Sequence, residues 1–206
     1  AMFKIKFQGK GGHGSMPHLS NDSIVAASHF VTAVQTVVSR RLSPYEVGVV
    51  TIGSFDGKGT FNIIKDSVTV EGDVRAMADE TKKTIEEEIK TIARGIGETF
   101  KVGVEIEYTD DYPVLYNDPE MTQLVVNAVK EANIKEVTDI IDCGPQPPSE
   151  DFSYYAKERP SCFFYVGAKK EDAPYPHHHP KFDIREDAME ICAKAMAAVV
   201  VKYLGE

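Results

Sequence analysis

Cysteine is scarce in this chain. The three present, Cys143, Cys162 and Cys192, form an odd, widely spaced set without a CxxC pair, which leaves no disulfide framework. They read as reduced, buried and inert thiols of a cytoplasmic protein. Long apolar runs are missing as well. None approaches the roughly 20 residues that cross a bilayer, and no signal-peptide pattern precedes Phe3. Positive charge is in deficit: 23 Lys and Arg stand against 32 Asp and Glu, for a net charge of −9. Neither half of the chain is basic, so nucleic acid and anionic membrane surfaces are not expected partners. Low-complexity tracts are absent, which excludes wholesale disorder. What remains is a globular composition, 42% hydrophobic and 27% charged over 206 residues. That is enough chain to bury a core without staples, in one large domain or two small ones.

Residues 1–112 alternate strand and helix signals. Phe3, Ile5 and Phe7 repeat at period two and run into the glycines at 9, 11, 12 and 14. A helix follows, with Asn21 or Asp22 as cap and Ile24, Ala27, Val31, Val34 and Val38 as its apolar stripe; Ser43-Pro44 stops it. Residues 46–55 read as a strand apolar on both faces, and Val68 to Val74 as a third strand. Asp79 or Thr81 can cap a second helix striped by Ile85, Ile89, Ile92 and Ile96, and Val102 to Tyr108 alternates as a last strand. The order β-α-β-β-α-β predicts a ferredoxin-like α+β sandwich, two helices on one face of an antiparallel sheet. The apolar 46–55 strand suggests edge-to-edge pairing of two copies if it lies at the sheet edge.

After Asp110-Asp111-Tyr112-Pro113 the pattern changes, and a hinge is expected there. Asn117-Asp118-Pro119 opens a helix over 121–132. Short strands are expected at 139–143 and 161–166, a helix over 150–157, and a last helix opened by a capping box at Asp183-Ile184-Arg185-Glu186. Two strands are too few for a free-standing parallel sheet, so 113–206 reads as part of an α/β domain.

Gly9-Lys10-Gly11-Gly12-His13-Gly14 matches GxGxxG after a strand. The dinucleotide reading fails on context. The next helix starts too late to offer its N-terminus to a pyrophosphate, and nothing acidic lies between Asp22 and Glu46. His13 is then a histidine displayed on a glycine loop, either a tolerated turn residue or one placed for close approach to a ligand. Metal-capable groups are densest at His177-His178-His179, between two prolines. Neighbouring histidines in a loop point apart, HExxH is absent, and His29 sits inside a helix, so no complete site is evident. Glu150 and Asp151 fit a helix start, and Asn62 and Arg75 carry no pattern by themselves.

Taken together, five pieces resemble the zinc-dependent amidohydrolases and exopeptidases related to hippurate hydrolase and N-acyl-amino-acid amidohydrolase. They are Gly9 to His18, Phe61-Asn62-Ile63-Ile64-Lys65-Asp66, Gly72-Asp73-Val74-Arg75, Ser149 to Tyr155, and His178-His179-Pro180-Lys181-Phe182-Asp183. The resemblance implies a ferredoxin-like lid and dimerisation domain at 1–112 and the C-terminal portion of the catalytic domain at 113–206. The family's N-terminal segment, with most metal ligands and the general-base glutamate, has no counterpart here. A fragment inactive alone is therefore expected; the alternative is a non-catalytic dimerisation protein derived from the fold. By resemblance, His178 is the metal ligand (zinc or manganese), with His179 as the other register. His13 is the lid histidine that hydrogen-bonds the scissile carbonyl oxygen, in many relatives in the partner subunit's site. Asn62 and Arg75 hold substrate carboxylate or carbonyl groups, and Glu150 and Asp151 flank the site. Small N-acyl amino acids or peptides are the implied substrates, and a homodimer through the lid is the implied assembly. Two positions depart from the family pattern: Lys65 and Pro148 stand where proline and glycine are usual.

Overall fold

The computed structural model of the chain describes residues 1–205, which divide into two compact units. The first is Ala1–Val114 with Pro147–Ser149; the second is Leu115–Gln146 and the chain from Glu150 onward.

In the first unit, strands β1 (Met2–Gln8), β3 (Gly48–Asp56), β5 (Ser67–Ala76) and β6 (Gly103–Thr109) form one sheet in the order β3-β5-β1-β6. Every neighbouring pair is antiparallel. Two further short strands, β2 (Gly12–His13) and β4 (Ile63–Ile64), make a separate ribbon. Helices α1 (Ser23–Thr36) and α2 (Asp79–Phe100) share one hydrophobic core with a single face of the sheet. Long strands and helices thus follow the β-α-β-β-α-β order read from the sequence.

Alternation in β1 explains the layering. Phe3, Ile5 and Phe7 are buried among Phe30, Val34, Ile85 and Ile89, while Lys4 and Lys6 point away and pair across the sheet with Glu71 (3.6 Å) and Glu105 (3.2 Å). Helix α1 is capped by Asp22, whose carboxylate accepts from the backbone N–H groups of Ile24 and Val25. Its buried face is Ala26, Ala27, Phe30, Val34 and Val37, rotated from the expected stripe, and Ile24 is exposed. The helix is apolar nearly all round, so sequence periodicity could not fix which face turns inward. It ends through a wider π-helical turn at Val37–Arg41, before Pro44. At α2, neither expected cap performs that role. Asp79 accepts from the backbone N–H of Val114, and Thr81 donates to Glu46. Strand β3 does lie at the sheet edge, with Val50 and Ile52 inward and Val49 exposed.

In the second unit, α3 (Pro119–Glu131), α4 (Ser153–Glu158) and α5 (Asp187–Leu204) are the regular elements among the described residues. Asp118 caps α3 through Glu120 and Met121, as its Asn-Asp-Pro start requires. Helices α3 and α5 bury Val125 and Ala128 on one side and Ala188, Ile191 and Ala195 on the other. Three expectations are corrected here. The strands at 139–143 and 161–166 do not form among the described residues, because a β-strand is a paired object and neither segment has a partner. Asp183 does not cap α5; it pairs with Lys170 at 2.6 Å. Cys143 and Cys192 are exposed and Cys162 half-buried, not uniformly buried.

Candidate functional site

The glycine loop packs too closely for any other residue. A Cβ on Gly11 would lie 2.6 Å from the Ile64 carbonyl oxygen, and one on Gly14 2.9 Å from that of Asn62. Glycine therefore serves backbone approach, not phosphate binding. The helix that follows begins only at Ser23, and the Asp22 carboxylate already occupies its N-terminal donors, so the glycines do not open a helix as the GxGxxG fingerprint requires.

This close packing builds the β2–β4 ribbon, which brings two of the sequence-singled residues together. His13 pairs with Ile63, and the Gly14 N–H donates to the Asn62 carbonyl at 2.8 Å. Asp66 ties the ribbon down, accepting from the Gly11 N–H at 2.8 Å. Lys65, where proline was the usual residue, keeps its turn: its carbonyl accepts from Ser23 Oγ at 2.8 Å and its ammonium reaches Asp56 at 3.4 Å. The His13 ring is exposed, and its Nδ1 faces both the Ser15 N–H (3.2 Å) and Ser15 Oγ (2.8 Å). A backbone N–H can only donate, so Nδ1 is the acceptor and the neutral ring carries its proton on Nε2.

Arg75 lies elsewhere. Its Nε donates to Asp73 at 2.8 Å and its Nη1 to Ser149 at 2.6 Å, leaving further Nη donors uncommitted. It sits near one end of β5, whereas Asn62 and His13 adjoin the other end at Ser67. At about 3.3 Å per residue, the strand rises roughly 26 Å between Ser67 and Arg75.

The histidine cluster occupies a loop in the second unit. Its base is pinned by the Lys169–Ile184 bridge, by the Arg185 N–H donating to Ala168 O at 3.0 Å, and by the Lys170–Asp183 ion pair. That pairing holds the Asp183 carboxyl below the usual carboxylate range. The three imidazoles differ. His177 meets Phe182 edge-on at 5.0 Å between ring centres. The ring of His179 stacks on Tyr175 at 4.4 Å, and its Nδ1 accepts the Lys181 N–H at 3.1 Å. Left-handed backbone, φ 66°, is confined within the triplet to His178. It stands at the third position of a turn closed by the His179 N–H on Pro176 O, at about 1 kcal/mol of strain for a residue with a Cβ.

His29, exposed on α1, packs against Phe100 in a tilted pair with ring centres 4.8 Å apart, and so is ring-packed without being buried. Glu150 and Asp151 do not cap α4; the turn there is closed by backbone, with the Ser153 N–H on Glu150 O and the Tyr154 N–H on Asp151 O. Burial and then the Glu150 charge raise the Tyr165 hydroxyl above its ordinary pKa. Sequence reasoning assigned no role to Ser15, whose hydroxyl meets the His13 ring nitrogen.

The chain belongs to peptidase family M20/M25/M40, whose model matches residues 9–202. It is 37% identical over 203 residues to YhaA of Bacillus subtilis, a protein named as an amidohydrolase, and 36% identical over 204 residues to an N-acetyldiaminopimelate deacetylase of Streptococcus pneumoniae. Each match covers 98% of this chain and 51% or 53% of the relative, so the chain spans about half the length of the curated relatives it matches. A crystal structure described as an aminohydrolase from methicillin-resistant Staphylococcus aureus superposes with a TM-score of 0.88 at 61% identity, over 98% of this chain and 52% of that one. The fold is shared with the Bacillus subtilis YXEP protein, described as a dinuclear metal-binding M20 peptidase (TM-score 0.70, 23% identity, 98% and 50% covered). Among the described residues, no three His, Cys, Asp or Glu side chains gather closely enough to hold a metal ion. Among the described residues, no helix is long and apolar enough to cross a membrane.

Proposed function

We propose that this chain supplies the lid and the C-terminal, ligand-bearing part of a metal-dependent amidohydrolase that cleaves N-acyl amino acids or small peptides. The observation that carries the reading is the His13 ring, held with Nδ1 as acceptor. His13, with Nδ1 accepting, presents Nε2–H as a donor, the form needed to hold a carbonyl oxygen as charge develops on it. His178 is the triplet's candidate metal ligand. Its neighbour His179 accepts the Lys181 N–H at Nδ1, which puts the proton on Nε2 and removes the lone pair a metal would need. Strain concentrated at His178 supports the same choice, since strained backbone gathers at functional positions.

Within this reading Arg75 grips the substrate carboxylate. Asp73 occupies Nε, so the grip is end-on, through the Nη atoms. Asn62 stands beside His13 as a second polar contact. Glu150 and Asp151 flank the ligand-bearing part, and the remaining metal ligands and the general base come from outside these residues. The deacetylase name of one relative supports a small acyl group on an amino acid as substrate. The same reading takes the chain as a homodimer joined through the lid.

Hydrolysis of a panel of N-acetyl and N-benzoyl amino acids, with zinc or manganese added, tests the proposal. The 206-residue chain alone is expected to give no turnover above the metal blank. Co-expression with the part of the 61%-identical Staphylococcus aureus protein that the chain does not cover is expected to give hydrolysis. Turnover by the chain alone would overturn the division of ligands. Stable association without hydrolysis would favour the non-catalytic interaction protein.

A further inference from the structure

We infer that Ser15 is a positioning residue for His13, one that selects the tautomer and the aim of its ring. The inference rests on His13 acting as the carbonyl-oxygen donor and adds a residue to that role. Nδ1 of His13 receives two contacts from Ser15, the backbone N–H at 3.2 Å and the hydroxyl at 2.8 Å. The N–H fixes the polarity of the pair: a protonated Nδ1 would set one N–H against another. With Nδ1 as acceptor, the Ser15 hydroxyl donates to it as well, and both contacts bind the ring in the form that leaves Nε2–H free to point outward.

The setting makes such a device useful. His13 is exposed, and the ring lacks the packing that would hold a buried imidazole in one rotamer. A hydrogen-bond donor aimed at a developing oxyanion must be oriented beforehand, because orientation gained during the reaction is lost from its stabilisation. The backbone beneath is already rigid. Gly14 is bonded to Asn62 O at 2.8 Å, and the Met16 N–H closes a turn on His13 O at 2.8 Å, which carries Ser15 over the ring. Backbone and hydroxyl together therefore do for an exposed histidine what a core does for a buried one.

Nitrogen-15 NMR of the intact chain with labelled histidine tests this without catalysis. The neutral His13 ring is expected to show the shifts of a pure Nε2–H tautomer. In Ser15→Ala, which removes only the shorter contact, the populations move toward the averaged values of the exposed His18; Ser15→Thr restores the native pattern. An Nδ1–H signature in the native chain, or an Ser15→Ala spectrum identical to it, would overturn the inference. Activity of the co-expressed enzyme is read separately: Ser15→Ala is expected to lower kcat about tenfold with KM little changed. If the tautomer responds and kcat does not, Ser15 still positions the ring, and the catalytic assignment of His13 is what fails.

Discussion

A methyl group added at Gly9 would lie 2.2 Å from the Asn21 carbonyl oxygen, backbone that is itself bonded to the Lys10 N–H at 3.0 Å. Neither side can give, so Gly9→Ala is expected to lower unfolding free energy by about 1–3 kcal/mol. At Gly95, exposed in the C-terminal part of α2, the same methyl meets nothing within 4 Å. Gly95→Ala is expected to raise stability by about 0.5–1 kcal/mol through the smaller entropy of the unfolded chain. Urea melts of both variants check the two signs. The glycine pattern was legible in the sequence, but which glycine is crowded depends on strands and turns that meet from distant positions. Cysteine burial failed for the same reason: it belongs to the neighbours a thiol finds, and Cys143 and Cys192 find none that cover them.

Elements were legible where one local signal decided them. Asp22 and Asp118 are caps because each accepts from the two N–H groups just ahead, an arrangement within a few residues. Strands β1, β5 and β6 announced themselves by alternation and β3 by an apolar run, and each found partners; β2 and β4 carried no strand signal. Segments 139–143 and 161–166 were apolar too and found no strand partner among the described residues, so propensity without pairing gave no strand. Asp183 looked like a cap and instead closes the base of the histidine loop on Lys170. Its carboxyl is held below the usual range first by that hydrogen bond, next by the Ile184 N–H, and then by the Lys170 charge. A group whose folded pKa is depressed contributes order that is present above its unfolded value and lost as pH falls through the folded one. The loop's protection from amide exchange is therefore expected to begin to fall as pH drops into the usual aspartate range, and to have lost this contribution below the folded value. Lys170→Met should remove that pH dependence and lower the protection modestly already at neutral pH. Because both side chains are solvent-exposed, global stability should hardly change, and added salt should mimic the variant in part.

At the scale of the whole molecule, the candidate residues of the first unit do not form one cluster within a chain. His13 and Asn62 adjoin the Ser67 end of β5, and Arg75 sits near its Ala76 end, roughly 26 Å of strand away. A small N-acyl amino acid cannot touch both. If His13 and Arg75 serve the same substrate molecule, the two must come from different copies, which ties the proposed dimer to the proposed chemistry. A symmetric pair then builds two equivalent sites, each taking Arg75 from one subunit and His13 from the other. His13→Ala and Arg75→Met should each abolish most hydrolysis by the co-expressed enzyme. Mixed and allowed to exchange subunits, the two inactive variants should regain activity, because a mixed dimer carries one site with both native residues and one with neither. Random exchange makes half the dimers mixed, and half their sites native, so the ceiling is about one quarter of the native rate. Recovery near that level, measured against each variant alone, supports the shared site. No recovery, with exchange verified by differently tagged subunits, would assign His13 and Arg75 to separate tasks and remove the chemical reason for the dimer.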